Sequence, residues 1–502
     1  MTTQFSIKTH VLLLAFSAVC ALTCAAAESV PYDLGKETYK TETLFSYDGC
    51  LNHQLMGNSG KPIVFKNHVY VAIIVYGLYP RFLQVPLDGG EAKIGRLDPD
   101  VFIGEDSHRY FTLSVDKAGY IHVVGGMHGG PWKYWISAKP EDVSKFHRAQ
   151  PGQASKNLEN ESEETAKLGP AVPGLQAPLG GGITYPMFSR DAAGNIFLYS
   201  RGSAPDFRTI NGQKIVHVGL LNTYDAATRT WRLLGADIPK AFGGHPGNPV
   251  TVWGDCFENG SAGNGWYVVN TAGFVASPDN TLHFVFRILN YASATQNLRN
   301  FTTGHAPGKD ILYAWSKDGG RTLHRADGSK VEWPVCAKPG PHQPDVIYAA
   351  HADYAAMEKA GDGRFPGLAG GQLQLDWKGR PMIRTSKRIS KEDVVFRLEN
   401  GKWGPCPAKA FGQWRDNAGV LTFRGDDDDD GGGGKRSTEI TRLWDQDHMR
   451  VVNLGQEIND LDADYLRETG TMIYTTKNPR KGNSVINIVR TTIQRPAVQK
   501  GN

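Results

Sequence analysis

The sequence predicts an all-β fold assembled from repeated antiparallel units, and three observations carry that reading. First, 502 residues with Gly 58, Pro 28 and 10% aromatics show no long amphipathic helical pattern, which favours a turn-rich β protein. Second, apolar β-rich runs are split by short polar turns, as in Phe111 to Val115, then Asp116-Lys117-Ala118-Gly119, then Tyr120 to Val124. Third, that pattern recurs. Ser114-Val115-Asp116-Lys117-Ala118-Gly119-Tyr120 is echoed by Ser189-Arg190-Asp191-Ala192-Ala193-Gly194-Asn195. Weaker copies are Ser277-Pro278-Asp279-Asn280-Thr281 and Leu375-Asp376-Trp377-Lys378-Gly379. Copies about 75 to 100 residues apart mark a larger unit, or every second unit, of a repeat architecture.

Ser316-Lys317-Asp318-Gly319-Gly320-Arg321-Thr322-Leu323 follows an apolar run, Ile311 to Trp315, and matches the Asp-box except at Leu323, where that motif has an aromatic residue. Its physics is a tight turn in which Asp and Ser bond the backbone, a structural role. Tyr224 to Trp231 is a degenerate relative. Four-stranded blades of about 45 to 65 residues would give about six to eight blades of a β-propeller over this length.

In chain order, the N-terminus comes first. Lys8 and His10 precede the apolar run Val11 to Cys24, and Ala25-Ala26-Ala27 offers a cleavage site, so residues 1–27 read as a signal peptide. The expected product is secreted or periplasmic, with residues 28–502 as one domain. Residues 152–182, rich in Pro and Gly, and 425–436, with Asp426 to Asp430 and Gly431 to Gly434, read as surface loops. Helix is expected only as short turns near Ala355-Ala356-Met357 and from Ile458 to Tyr465. A net charge of +4 is too weak to argue for nucleic acid or a membrane surface. A monomer with no organic cofactor is the expectation.

The hairpin around Ala118 carries the chemistry. His108 and His128 lie ten residues either side of it, so antiparallel pairing brings both imidazoles to its open end. Two histidines beside glycines that admit a ligand form a proton-transfer site, or else are ordinary strand-end histidines. His122, inside the strand between Ile121 and Val123, reads as structural.

Asp106-x-His108, His128, Trp132-Lys133-Tyr134-Trp135, Thr184-Tyr185-Pro186 and Tyr199-Ser200-Arg201-Gly202 together resemble the BNR-4 family of secreted β-propellers. Within it the chain is most similar to ulvan lyases and related polysaccharide lyases, from about Tyr47 to Thr491. The resemblance implies a seven-bladed propeller whose cleft holds two histidines, a tyrosine and an arginine, matched here by His108, His128, Tyr185 and Arg201. It implies β-elimination at a uronic acid of an anionic polysaccharide. The residues fit that chemistry: Arg201 can neutralise the carboxylate, and His108 and Tyr185 form the proton-transfer pair, with His128 sharing that role or helping to neutralise the carboxylate. Tyr224 and Arg208 are candidate substrate contacts. The sequence departs from the family in its Gly-Gly-Met-His-Gly-Gly hairpin end, which bears on substrate choice.

His245, Cys256, Cys336 and His342 are the right types for a tetrahedral zinc site, although spacings of eleven and six residues are no zinc-finger signature. The resemblance implies a structural zinc held by histidine and cysteine. A Cys256–Cys336 disulfide, or free thiols, are the rivals. Two other classes stay open: a sialidase-like glycoside hydrolase, which needs a carboxylate acid and a nucleophile, and a non-catalytic glycan-binding propeller.

Overall fold

A computed structural model of the chain describes residues 35–51, 60–106, 108–150, 167–203, 209–210, 213–214, 218–237, 249–252, 267–268, 273–289, 309–336, 339–348, 368–387, 393–416, 419–424, 439–443, 447–455, 458–479 and 484–496. The predicted signal segment, the 425–436 loop and the helix near Ala355 fall outside them. Among the described residues, no helix is long and apolar enough to cross a membrane.

The fold is all-β, and four of its sheets are four-stranded and antiparallel, each in sequence order. One of them joins Phe111–Val115, Ile121–Gly125, Tyr134–Ser137 and Phe146–Arg148. The next joins Gly181–Arg190, Ile196–Ser203, Val218–Asp225 and Thr230–Leu234. A seven-stranded sheet is built around Leu282–Leu289 and Lys309–Ser316. An eight-stranded one unites the first and last strands of the described chain. There Thr38–Cys50 runs antiparallel to Ser484–Gln494, from Thr38 opposite Gln494 to Cys50 opposite Ser484. Glu37, just before that strand, forms a 2.9 Å ion pair with Arg442 of the neighbouring sheet, and both side chains are fully buried. Arg450 also donates to the Glu37 carbonyl at 2.6 Å.

The core lies between sheets rather than inside one sandwich. One cluster packs Tyr70, Ile74 and Phe82 against Phe111, Val123 and Trp135. Another packs Val124, Tyr134 and Ile136 against Ile183, Leu198 and Trp231. A sheet covered on both faces needs apolar residues pointing both ways, which is why His68–Val75 and Phe111–Val115 read as nearly continuous apolar runs instead of alternating ones.

The recurring turns are one device. Asp116 accepts from the amides of Ala118 and Tyr120, both at 2.9 Å. Asp191 does the same for Ala193 and Asn195, and Asp376 for Lys378 and Arg380. Asp279 accepts from Thr281 at 3.1 Å. Each carboxylate satisfies amides that a tight turn leaves without strand partners. In the Asp-box, Asp318 takes the amide and hydroxyl of Thr322 while Ser316 accepts from Gly320. Leu323 fills its aromatic position and is fully buried.

Two expectations are corrected. Ile458–Leu461 is a strand, and the helix begins later, at Ala463–Thr469. Asp462 caps it by accepting from the Tyr465 amide, and Gly470, at φ 71°, ends it in the left-handed region. The 152–182 segment is not wholly a surface loop: Leu168 and Ala177 are buried in two inter-sheet clusters, and Gly181 already belongs to a strand.

Candidate active site

The hairpin forms with the expected register, Phe111 opposite Gly125 and Val115 opposite Ile121. At its open end there is no room for a side chain at Gly125, where a Cβ would meet the Tyr110 carbonyl at 2.4 Å. Glycine there lets the strands close, and the Gly126 amide reaches the Tyr110 carbonyl at 3.1 Å. His108 and His128 therefore meet: their rings stack with centroids 3.9 Å apart and planes 13° from parallel.

Asp106 joins them, a residue to which the sequence pattern assigns no role of its own. Its Oδ1 lies 2.6 Å from His108 Nδ1 and also accepts the His108 amide at 3.0 Å. Its Oδ2 lies 2.6 Å from His128 Nδ1. The signal for the first contact was local, since an Asp two residues before a His can bond that residue's amide in an Asx turn. Burial alone would raise the Asp106 carboxyl, but the hydrogen bonds from His108 and His128 outweigh it and hold it well below the usual carboxylate range. The three donor atoms fall within 4.8 Å of one another, a spread that could also hold a metal ion.

The next sheet brings the rest. The Gly129 amide donates to the Ile183 carbonyl and to Thr184 Oγ1, both at 2.9 Å, and the Ile183 amide donates back to Gly130 at 2.7 Å. Tyr110 Oη donates to the Pro186 carbonyl at 2.9 Å. These bonds hold Tyr185 at the hairpin end. Tyr185 has φ 57°, in the left-handed region disfavoured for non-glycine residues, where pairing with the neighbouring strand skips between Thr184 and Met187. A bulge at this point re-aims the side chain, whose ring centroid lies 5.1 Å from that of His108. The Arg201 guanidinium sits 4.7 Å from the Tyr185 ring centre, on the strand position opposite Thr184. Arg201 is buried, at 4% exposure. Burial pushes the Tyr185 phenol up, against the charge and hydrogen bond of Arg201.

The structure thus brings His108, His128, Tyr185 and Arg201 together, and separates Tyr224 from them. Tyr224 pairs with Ile196, at the end of the Ile196–Ser203 strand remote from Arg201. It is buried against His122, at 4.5 Å, and Trp231, at 5.0 Å. It packs between sheets, away from the four converging side chains. Arg208, His245 and Cys256 lie outside the described residues. Cys336 is disulfide-bonded, which was the rival reading for it, and His342 Nε2 faces Glu332 at 3.7 Å. A disulfide sulfur is no thiolate, so the residues as they stand do not fit the zinc quartet.

A profile of the BNR repeat-containing family matches residues 83–409, which include the hairpin and all four converging side chains. A comparison with curated proteins finds no match. Among solved structures, the polysaccharide lyase Uly1 superposes with TM-score 0.55 at 13% identity, over 93% of this chain and 95% of that one. An ulvan lyase of family PL25, solved bound to -[GlcA(1-4)Rha3S]-, gives 0.54 at 14% identity, over 89% of this chain and 96% of that one. At these identities the likeness is one of fold. The family match, spanning well over half the sequence, goes further: this chain belongs to the BNR repeat-containing family.

Proposed function

We propose that the chain is a secreted, monomeric polysaccharide lyase that cleaves an ulvan-like, uronate-containing polymer by β-elimination. The proposal includes a seven-bladed β-propeller: the four four-stranded sheets, one unit from the seven-stranded sheet and two from the eight-stranded one supply that number. The observation that carries the function is the convergence of two imidazoles, a phenol and a guanidinium within a few ångströms at one sheet end.

Those groups match the demands of the reaction. The C5 proton of a uronate becomes acidic only when the neighbouring carboxylate is neutralised, and Arg201 supplies a permanent cation with a bidentate fork. An imidazole nitrogen of His108 accepts the C5 proton, and His128, stacked on it, shares that role or helps to face the carboxylate. Tyr185, its phenol raised by burial, keeps its proton at neutral pH and delivers it to the departing O4. The C4–O4 bond breaks, a C4–C5 double bond forms, and one proton is taken up as another is released.

Hydrolysis is the weaker reading. It needs a free carboxylic acid and a second carboxylate or tyrosine nucleophile, whereas Asp106 has both oxygens engaged by histidines. The test is absorbance: elimination yields an unsaturated uronate absorbing in the near ultraviolet, and hydrolysis and binding do not. Incubation with a panel of uronate polysaccharides should raise that absorbance for at least one. New reducing ends without absorbance would overturn the lyase.

A further inference from the structure

We infer that Asp106 is a positioning residue that fixes both histidines in one tautomer, with each Nδ1 protonated and each Nε2 turned to the substrate side. This rests on the lyase reading for its catalytic consequence, but not for its geometry.

Each carboxylate oxygen takes one ring: Oδ1 lies 2.6 Å from His108 Nδ1 and Oδ2 2.6 Å from His128 Nδ1. An ionised carboxylate only accepts, so at that distance both ring nitrogens must donate. Asp106 is itself held in place, since Oδ1 also accepts the His108 amide and its own carbonyl accepts the Arg109 amide, both at 3.0 Å. A neutral imidazole that donates from Nδ1 carries its lone pair on Nε2, at the far side of the ring. Stacking at 3.9 Å and 13° then sets the two rings in parallel, so both Nε2 atoms point away from the carboxylate. Side-chain exposures of 28% and 39% leave both rings open to a ligand. One carboxylate thus orients two potential bases, where the usual orienting acid serves one.

The contact is also specific for Asp. Asparagine at 106 offers one acceptor and an NH₂ donor, so at most one ring could keep its proton on Nδ1. The other would be driven to the Nε2–H form and lose its lone pair toward the substrate.

The experiment uses the full protein, labelled with ¹⁵N-histidine, in chelator-treated buffer at slightly alkaline pH. Long-range ¹H–¹⁵N spectra report the tautomer of each ring, with His108→Gln and His128→Gln identifying the two resonance sets. Both rings should show Nδ1–H, and Asp106→Asn should convert one of them to Nε2–H. In kinetics, Asp106→Asn should lower kcat about 10²- to 10⁴-fold with KM within about threefold, the loss expected of a wrong tautomer. Asp106→Glu should restore part of kcat.

Nε2–H on either ring of the unsubstituted protein would overturn the inference, as would metal-shifted Nδ1 signals in place of Nδ1–H. So would an Asp106→Asn enzyme within about threefold of full kcat. Should no polymer be eliminated while both rings still show Nδ1–H and lose it in Asp106→Asn, the lyase reading fails and the positioning stands.

Discussion

One hairpin carries two histidine–carboxylate groupings, and they differ in almost everything but composition. At its turn end, His122 lies 3.3 Å from Asp116 and bonds Tyr134 Oη through Nδ1 at 2.8 Å. It is fully buried and enclosed by the rings of Tyr134, Tyr224 and Trp231. Burial holds that imidazole below its ordinary range despite the nearby carboxylate. At the open end, Asp106 binds two half-exposed histidines next to Tyr185 and Arg201. The same two residue types make a packing element where aromatic rings exclude solvent. Where a neighbouring sheet brings a phenol and a cation instead, they make a partly exposed cluster of ionisable groups. Histidine beside aspartate is therefore no sign of chemistry until its surroundings are known.

The contrast can be broken by substitution. The largest effects belong to the open end: His108→Ala or Tyr185→Phe should cut elimination about 10²- to 10⁴-fold, read as initial absorbance rate, while thermal midpoints move by only a few degrees. Near-full activity in both would end the proposed mechanism. Arg201→Lys keeps the charge but loses the planar fork, and should cost roughly 10²-fold, chiefly in kcat.

At the turn end the expected sign reverses. His122→Ala should remove about 2–4 kcal/mol of stability by denaturant titration, through a cavity and an orphaned Tyr134 hydroxyl. Activity per folded molecule should hold. Acid sharpens the same point. His283 repeats the His122 arrangement, bonding Tyr313 Oη at 2.7 Å, and burial lowers it from 6.5 to about 4. Neutral in the fold and protonated when unfolded, it contributes stability that is complete above about pH 6.5 and is lost as pH falls toward about 4. The unfolding free energy should decline across that window, and His283→Gln should flatten the slope; an unchanged slope would count against it. Smallest of all, Tyr224→Phe should leave turnover unaltered and change stability by under about 1 kcal/mol. A clear rise in KM would return Tyr224 to the cleft.

Much of this was legible where the information is local. The Asp turns and the pairing of Phe111 with Gly125 follow from residues within a few positions of each other, so the meeting of His108 and His128 was readable. The fourfold set followed from the family resemblance, not from spacing. The shared carboxylate was missed because its second contact, to His128, spans 22 residues and needs the hairpin already closed. Tyr185 gives no sign of its positive φ, since the bulge is imposed by the bonds to Gly129, Gly130 and Tyr110 from the next sheet. That Tyr224 lies away from the cluster was not readable, because residue type says nothing about which end of a strand it occupies.

The pairing of Thr38–Cys50 with Ser484–Gln494 has a consequence for how the molecule comes into being. Thr41 and Thr491 touch hydroxyl to hydroxyl at 2.9 Å although 450 residues separate them, so this clasp fastens late. Until the final strand emerges from synthesis, the first one presents an unpaired edge, open to any other extended chain. Once fastened, neither end is a beginning in any mechanical sense. A short linker could join Thr38 to Gln494, and the chain could be reopened at an exposed turn remote from the histidine hairpin, such as Asn400-Gly401, leaving the hairpin and its histidine cluster connected as they are.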